Sequence, residues 1–137
     1  MKIVNYLLIA LILVGLVYVF SIFQEFSYFS LSKDYTEIGT MLLRPLDYHD
    51  GQVCTAGKYT TGEGISVITD AQNPTGAIWV SAPVEQSLFS MLWSKYISRE
   101  PKQTFIAKVC GVFEMTESKT QGFGPNNQYQ YQITSGR

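Results

Sequence analysis

The chain has 137 residues, 46% hydrophobic and 14% aromatic, and its ten Lys or Arg against eleven Asp or Glu leave a formal net charge of -1. A near-neutral chain without a basic cluster lacks the surface that exchanges counterions with nucleic-acid phosphates. Its length suits one domain of ordinary size, and its two cysteines and single histidine offer no zinc-site spacing.

After Met1-Lys2 the run over residues 3–23 carries no charge and is interrupted only by Asn5, Gly15 and Ser21. An α-helix needs about 20 residues to cross a hydrocarbon core of about 30 Å. Residues 1–23 are therefore expected to form a single-pass transmembrane anchor. A cleavable signal peptide shares the positive start, but its apolar region spans about 7 to 15 residues and ends in small residues. Here the run ends in Val19-Phe20-Ser21-Ile22-Phe23, and no cysteine follows closely enough to accept a lipid. A buried core helix that is apolar all round would need a larger protein around it. Lys2 precedes the run, Glu25 follows it and Lys33 comes later, so the positive-inside bias favours a cytoplasmic amino terminus and an exported domain. With Lys2 set aside, the rest of the chain has nine basic residues against eleven acidic ones.

Residues 24–45 read as a juxtamembrane segment and a short helix. Phe26, Tyr28 and Phe29 suit the headgroup level, or else they continue the helix. Asp34, three residues before Glu37, resembles a capping box, and Ile38, Met41 and Leu42 follow at helical spacing until Pro45, which predicts a helix over about 34–43. From His49 the period becomes 2. The pattern predicts strands over 52–60, 65–68 and 77–81, with turns at Asp50-Gly51, Thr61-Gly62-Glu63-Gly64 and Asn73-Pro74-Thr75-Gly76. Val53, Thr55, Gly57 and Tyr59 share one face of the first strand. Pro83 opens a predicted helix through Arg99, with Val84, Leu88, Met91, Leu92 and Tyr96 on one side. A long strand over 104–115 places Phe105, Ala107, Val109, Gly111 and Phe113 on one face. After a polar loop over 116–127, the last strand covers 128–134, with Tyr129, Tyr131 and Ile133 alternating against glutamines.

The expected fold class is mainly β with α: a transmembrane helix, a short helix and a five-stranded barrel in the order β-β-β-α-β-β over residues 46–137. That order resembles the OB-fold. The segments Asp50-Gly51-Gln52-Val53-Cys54-Thr55-Ala56-Gly57-Lys58-Tyr59 and Ile106-Ala107-Lys108-Val109-Cys110-Gly111-Val112-Phe113, with Ala77-Ile78-Trp79-Val80 between them, resemble the paired strands of bacterial OB-fold domain proteins of the anticodon-binding-like superfamily, including membrane-anchored exported members. The resemblance covers about residues 48–134. It implies a ligand face across strands two and three, flanked by residues 59–64 and 121–127. The first of these segments and the polar loop over 116–127 carry Lys119 against Glu63 and Glu117, so the nucleic-acid activity of the superfamily is not implied for this chain. The same topology makes strands one and four antiparallel neighbours, which allows Cys54 and Cys110 to form a cross-strand disulfide outside the cytoplasm; two free thiols are the alternative.

Tyr59, Trp79 and Phe123 are the candidate ligand-binding residues. Trp79 is either a stacking platform or a barrel residue packed under the helix. Phe123, between Gly122 and Gly124, is either an exposed contact or a ring folded over the barrel mouth. Asp47, His49 and Asp50 are too few to close a metal site, so no metal and no cofactor is expected. No nucleophile, general base or isolated carboxylate pair marks a catalytic residue, and the chain reads as no enzyme. The sequence thus predicts a membrane-tethered binding module in the bacterial inner (cytoplasmic) membrane, its domain periplasmic or extracytoplasmic, with a protein or envelope component as partner. The alternatives are a structural subunit of a membrane complex and a cytoplasm-facing OB domain that binds nucleic acid.

Overall fold

The computed structural model describes residues 2–30, 35–96, 98, 100–118 and 120–135. The expectations placed on Lys33, Asp34, Arg99 and Lys119, and on the side chains of Phe26, Tyr28 and Phe29, lie outside what is described. The chain divides into two units, Met1–Ser32 and Lys33–Arg137.

In the first unit, helix α1 runs from Lys2 to Ser30. Its stretch Ile3–Ser21, 19 residues, is long and apolar enough to cross a membrane, and the protein itself buries none of it. A helix satisfies its own backbone amides, which is the condition for lying in hydrocarbon. The hydroxyl of Ser21 is likewise satisfied within the helix, donating to the Tyr18 carbonyl at 2.8 Å. The backbone remains helical past Phe23 to Ser30.

The second unit is a closed β-barrel. Helix α2 (Ile38–Leu43) precedes strands β1 (Gln52–Gly62), β2 (Ile65–Thr69), β3 (Ala77–Val80), β4 (Val84–Gln86), β5 (Gln103–Met115) and β6 (Tyr131–Thr134), and helix α3 (Leu88–Tyr96) lies between β4 and β5. The sheet order is β1-β2-β3-β6-β5-β4, and β5 also pairs with β1, which closes five strands into a ring. β3 and β6 are parallel, and every other pairing is antiparallel. The five-stranded barrel expected from the alternating pattern is present, with one strand added.

β1 can serve both neighbours because it is long: residues 58–62 pair with β2 on one edge while 52–61 pair with β5 on the other. Gly57 sits where the strand coils past β2, and a β-carbon there would stand 2.4 Å from the Thr69 carbonyl oxygen. Only glycine permits that approach. The turn to β2 uses Glu63 and Gly64, both at positive φ (53° and 78°), as a two-residue hairpin of this handedness requires.

The inward residues of β1 and β5 fall as the period of 2 predicts. Val53, Tyr59, Ala107, Val109 and Phe113 join Ile68, Ile78, Val80 and Ile133 in one core. Ile38 and Met41 of α2 complete it, at 1% and 0% exposure. Thr55, also fully buried, donates its hydroxyl to the Thr36 carbonyl at 2.7 Å, while the Thr36 amide donates to the Cys54 carbonyl at 2.9 Å. The lead-in to α2 is thereby pinned to β1.

Three boundaries differ from the sequence expectation. The segment after Pro83 is not helical at first: Val84, Glu85 and Gln86 pair with Val109, Lys108 and Ala107. β6 covers the same edge of β5 only over residues 112–115, so the remaining backbone groups there would be unpaired without β4. The helix begins after Ser87, whose hydroxyl accepts the Ser90 amide at 3.2 Å, an N-cap the periodicity passed over. α2 is shorter than expected, starting at Ile38, and Glu37 occupies its N-cap position without a side-chain capping bond. Finally, β6 begins at Tyr131 and not at 128, because Tyr129 instead forms an isolated bridge with Phe123.

Candidate functional site

Strand β3 divides its side chains by parity. Ile78 and Val80 enter the core, whereas Trp79 is half-buried and points to the outer face. There it is flanked by Val67 of β2 and Gln132 of β6, its partners in register. Gln132 in turn lies opposite Glu114 and donates to its carboxylate.

Residues 116–118 and 120–130 form a loop that returns to this face. Thr116 donates its amide to the Gln130 carbonyl at 3.0 Å, and Phe123 and Tyr129 exchange both backbone hydrogen bonds at 2.7 and 3.2 Å. Between them Gly124, Asn126 and Asn127 take positive φ (72°, 59° and 55°), which turns the chain tightly around Pro125. The Asn127 amide side chain donates to the Thr120 carbonyl at 3.0 Å, tying the tip to the start of the loop. The Tyr129 ring then stands 5.4 Å from the Trp79 indole, tilted 32°. A β-carbon at Gly124 would stand 2.7 Å from Trp79 Cε3, so the loop backbone itself touches the indole.

Of the three candidate ligand-binding residues, Trp79 and Phe123 are therefore brought to one region, linked through Tyr129. The partners that the structure gives Trp79 are Tyr129 and the Gly124 backbone. Phe123 is half-buried in its bridge to Tyr129. Tyr59 belongs elsewhere. It faces the barrel interior, 8% exposed, with its ring edge-on to Phe105 at 5.4 Å. Ser66 donates its proton to the Val80 carbonyl at 2.7 Å, so the Tyr59 hydroxyl, 2.9 Å from Ser66 Oγ, must be the donor of that pair. Tyr129 was missed as a site residue because strand parity placed it inward; the signal to the contrary was the Gly124-Pro125-Asn126-Asn127 turn just before it.

No known protein family, curated protein or solved structure matches this chain.

Around Trp79 the described residues of the outer face are aromatic, amide and acidic: Tyr129, Phe123, Gln132 and Glu114. Such a set offers apolar area and hydrogen bonds. His49 has a local task. Its Nδ1 accepts the Met115 amide at 3.2 Å, and its Nε2 lies 3.7 Å from the Asp50 carboxylate, which ties the turn before β1 to the end of β5. Among the described residues no group of three His, Cys, Asp or Glu is placed to hold a metal ion.

Cys54 and Cys110 face each other directly across β1 and β5, with α-carbons 4.0 Å apart, and form a disulfide. Both lie on the outside of the barrel, Cys54 half-buried and Cys110 exposed.

Proposed function

We propose that the protein is a non-catalytic binding module of the OB-fold type, tethered by α1 to the bacterial inner membrane with its barrel on the periplasmic or outer side, where it engages a protein or envelope component. The observation that carries this reading is the span Ile3–Ser21, a predominantly apolar stretch of 19 residues that the protein leaves wholly unburied. Apolar surface on that scale needs hydrocarbon around it. Lys2 before the span and Glu25 after it favour an exported barrel under the positive-inside rule. The surface disulfide supports the same side, since such bonds persist in oxidising compartments.

The OB reading is supported by the ring order β1-β2-β3-β6-β5-β1 with its parallel β3–β6 pair. In that fold the face across β2 and β3, framed by the first and last loops, receives ligands. Here that face holds Trp79 under Tyr129 and the loop over 116–130. A partner recognised by aromatic and amide groups fits it better than a polyanion does.

A carboxyl-terminal alkaline phosphatase fusion, active only outside the cytoplasm, tests the orientation; activity is expected, and an active cytoplasmic reporter at the same position overturns it. A photo-crosslinking residue at Phe123 is expected to capture a discrete envelope protein or component in membranes. Replacing residues 3–23 with an unrelated transmembrane helix is expected to preserve that adduct. Loss of the adduct with the barrel intact favours the structural-subunit reading, in which the span itself makes the contacts.

A further inference from the structure

Among the described side chains of helix α3, the large apolar ones lie exposed. Leu88, Leu92 and Tyr96, at i, i+4 and i+8, form a stripe with 65%, 45% and 68% of their surfaces exposed, flanked by Met91 at 41% and Trp93 at 49%. A contiguous exposed patch of this kind on a small domain marks an interaction surface. Its origin is visible in the fold. The barrel core is completed by Ile38 and Met41 of α2, while α3 follows the added strand β4 along the edge of β5 and starts at the Ser87 cap.

We propose that α3 lies in the surface of the phospholipid bilayer that holds α1, with the Leu88–Leu92–Tyr96 stripe at the boundary between headgroups and acyl chains. The proposal rests on the reading of α1 as a membrane anchor. Two observations select lipid as the occupant. The first is reach: only residues 22–34 separate the end of the apolar span from the first described residue of the barrel unit, at most about 45 Å of fully extended chain. A bilayer is therefore the one apolar surface that never leaves the neighbourhood of this domain. The second is composition. Trp93 and Tyr96 are the residue types that settle at the membrane interface, and Lys95 stands with Nζ 5.4 Å from the Tyr96 ring, a cation placed at the headgroup level beside its aromatic neighbour. A helix of nine residues would not hold to a membrane alone, but the anchor makes its contact intramolecular.

The full chain, in vesicles of phosphatidylethanolamine and phosphatidylglycerol at three to one, tests this with Trp93 as probe in a Trp79→Phe background. Flotation after an alkaline carbonate wash reads the anchor separately. The expected result is flotation, a blue-shifted Trp93 emission, and at least twofold quenching by lipids brominated near the headgroup end of the acyl chains. The double variant Leu88→Glu, Leu92→Glu is expected to float equally and to lose the quenching, and its far-UV circular dichroism checks that the barrel persists. Flotation with Trp93 emission unaffected by brominated lipid overturns the α3 proposal and leaves the anchor standing. Failure to float overturns the anchor reading and with it the proposal. Trp93 shielded without lipid quenching, together with a crosslinked dimer abolished by Leu92→Glu, assigns the stripe to a second copy of the chain and also overturns it.

Discussion

The backbone of Gly124 rests on the indole of Trp79, so closely that a β-carbon there would approach Cε3 to 2.7 Å. With φ at 72°, Gly124 also occupies the left-handed region that disfavours L side chains. Steric contact and backbone strain act together at one residue, and the loop over 116–130 is held to β3 through it. Gly124→Ala should lower stability by about 1–2 kcal/mol from the backbone term alone. It should also lift the loop from Trp79, which urea titration and a red shift of Trp79 emission in a Trp93→Phe background would register. Unchanged emission would count against the loop as the cover of Trp79.

Gly57 is constrained by close approach and not by its torsion. Its missing β-carbon leaves room for the Thr69 carbonyl at 2.4 Å and for Ile38 Cδ1 at 2.7 Å. Gly57→Ala must push β1 away from β2 or displace α2 from the core, at a cost of about 1–3 kcal/mol for overpacking a tight site. Gly15 in α1 has nothing within 4 Å of its would-be β-carbon, so Gly15→Ala serves as the contrast. Thermal unfolding should separate the two, the first lowering Tm by several degrees and the second leaving it in place.

The strands that could be read in the sequence are those whose burial is decided locally. In β1 the alternation Val53, Thr55, Gly57, Tyr59 matches the buried face position by position, and β5 repeats this over Ala107, Val109, Gly111 and Phe113. β4 escaped because three residues carry no period, and Pro83 resembles a helix start; what makes Val84–Gln86 a strand is a bare stretch of β5 more than 20 residues away. The choice of helix for the core was equally non-local. α3 has the longer apolar stripe, yet the shorter α2 supplies Ile38 and Met41 because Thr36 is bonded to β1. At the candidate site Trp79 was legible by residue type, and its cover was not: Tyr129 leaves strand parity only because the Gly124–Asn127 turn redirects it.

The disulfide links residues 56 apart in sequence while lying outside the core, so its effect falls mainly on the unfolded chain. Replacing both Cys54 and Cys110 with Ala should lower stability by about 2–4 kcal/mol and leave the barrel fold intact. Urea midpoints with and without reductant should differ in the wild type and coincide in the double variant. Alkylation of the native protein without reductant should leave both cysteines unlabelled; full labelling would show that the pair is open.

Met41 and Leu92 offer a direct test of which helix completes the core. Met41 is fully buried among Ile38, Ile68 and the other inward residues, whereas Leu92 is 45% exposed on α3. Met41→Ala leaves a cavity that its close-packed neighbours fill only in part, at a cost of about 2–5 kcal/mol. Leu92→Ala removes a half-exposed side chain outside the core cluster and should cost no more than about 1 kcal/mol in the barrel's unfolding transition. The ratio decides the matter better than either value, because errors in the unfolded reference affect both variants alike. Comparable losses from the two would mean that α3 folds back onto the barrel after all, and the exposed stripe from which its membrane contact is argued would disappear.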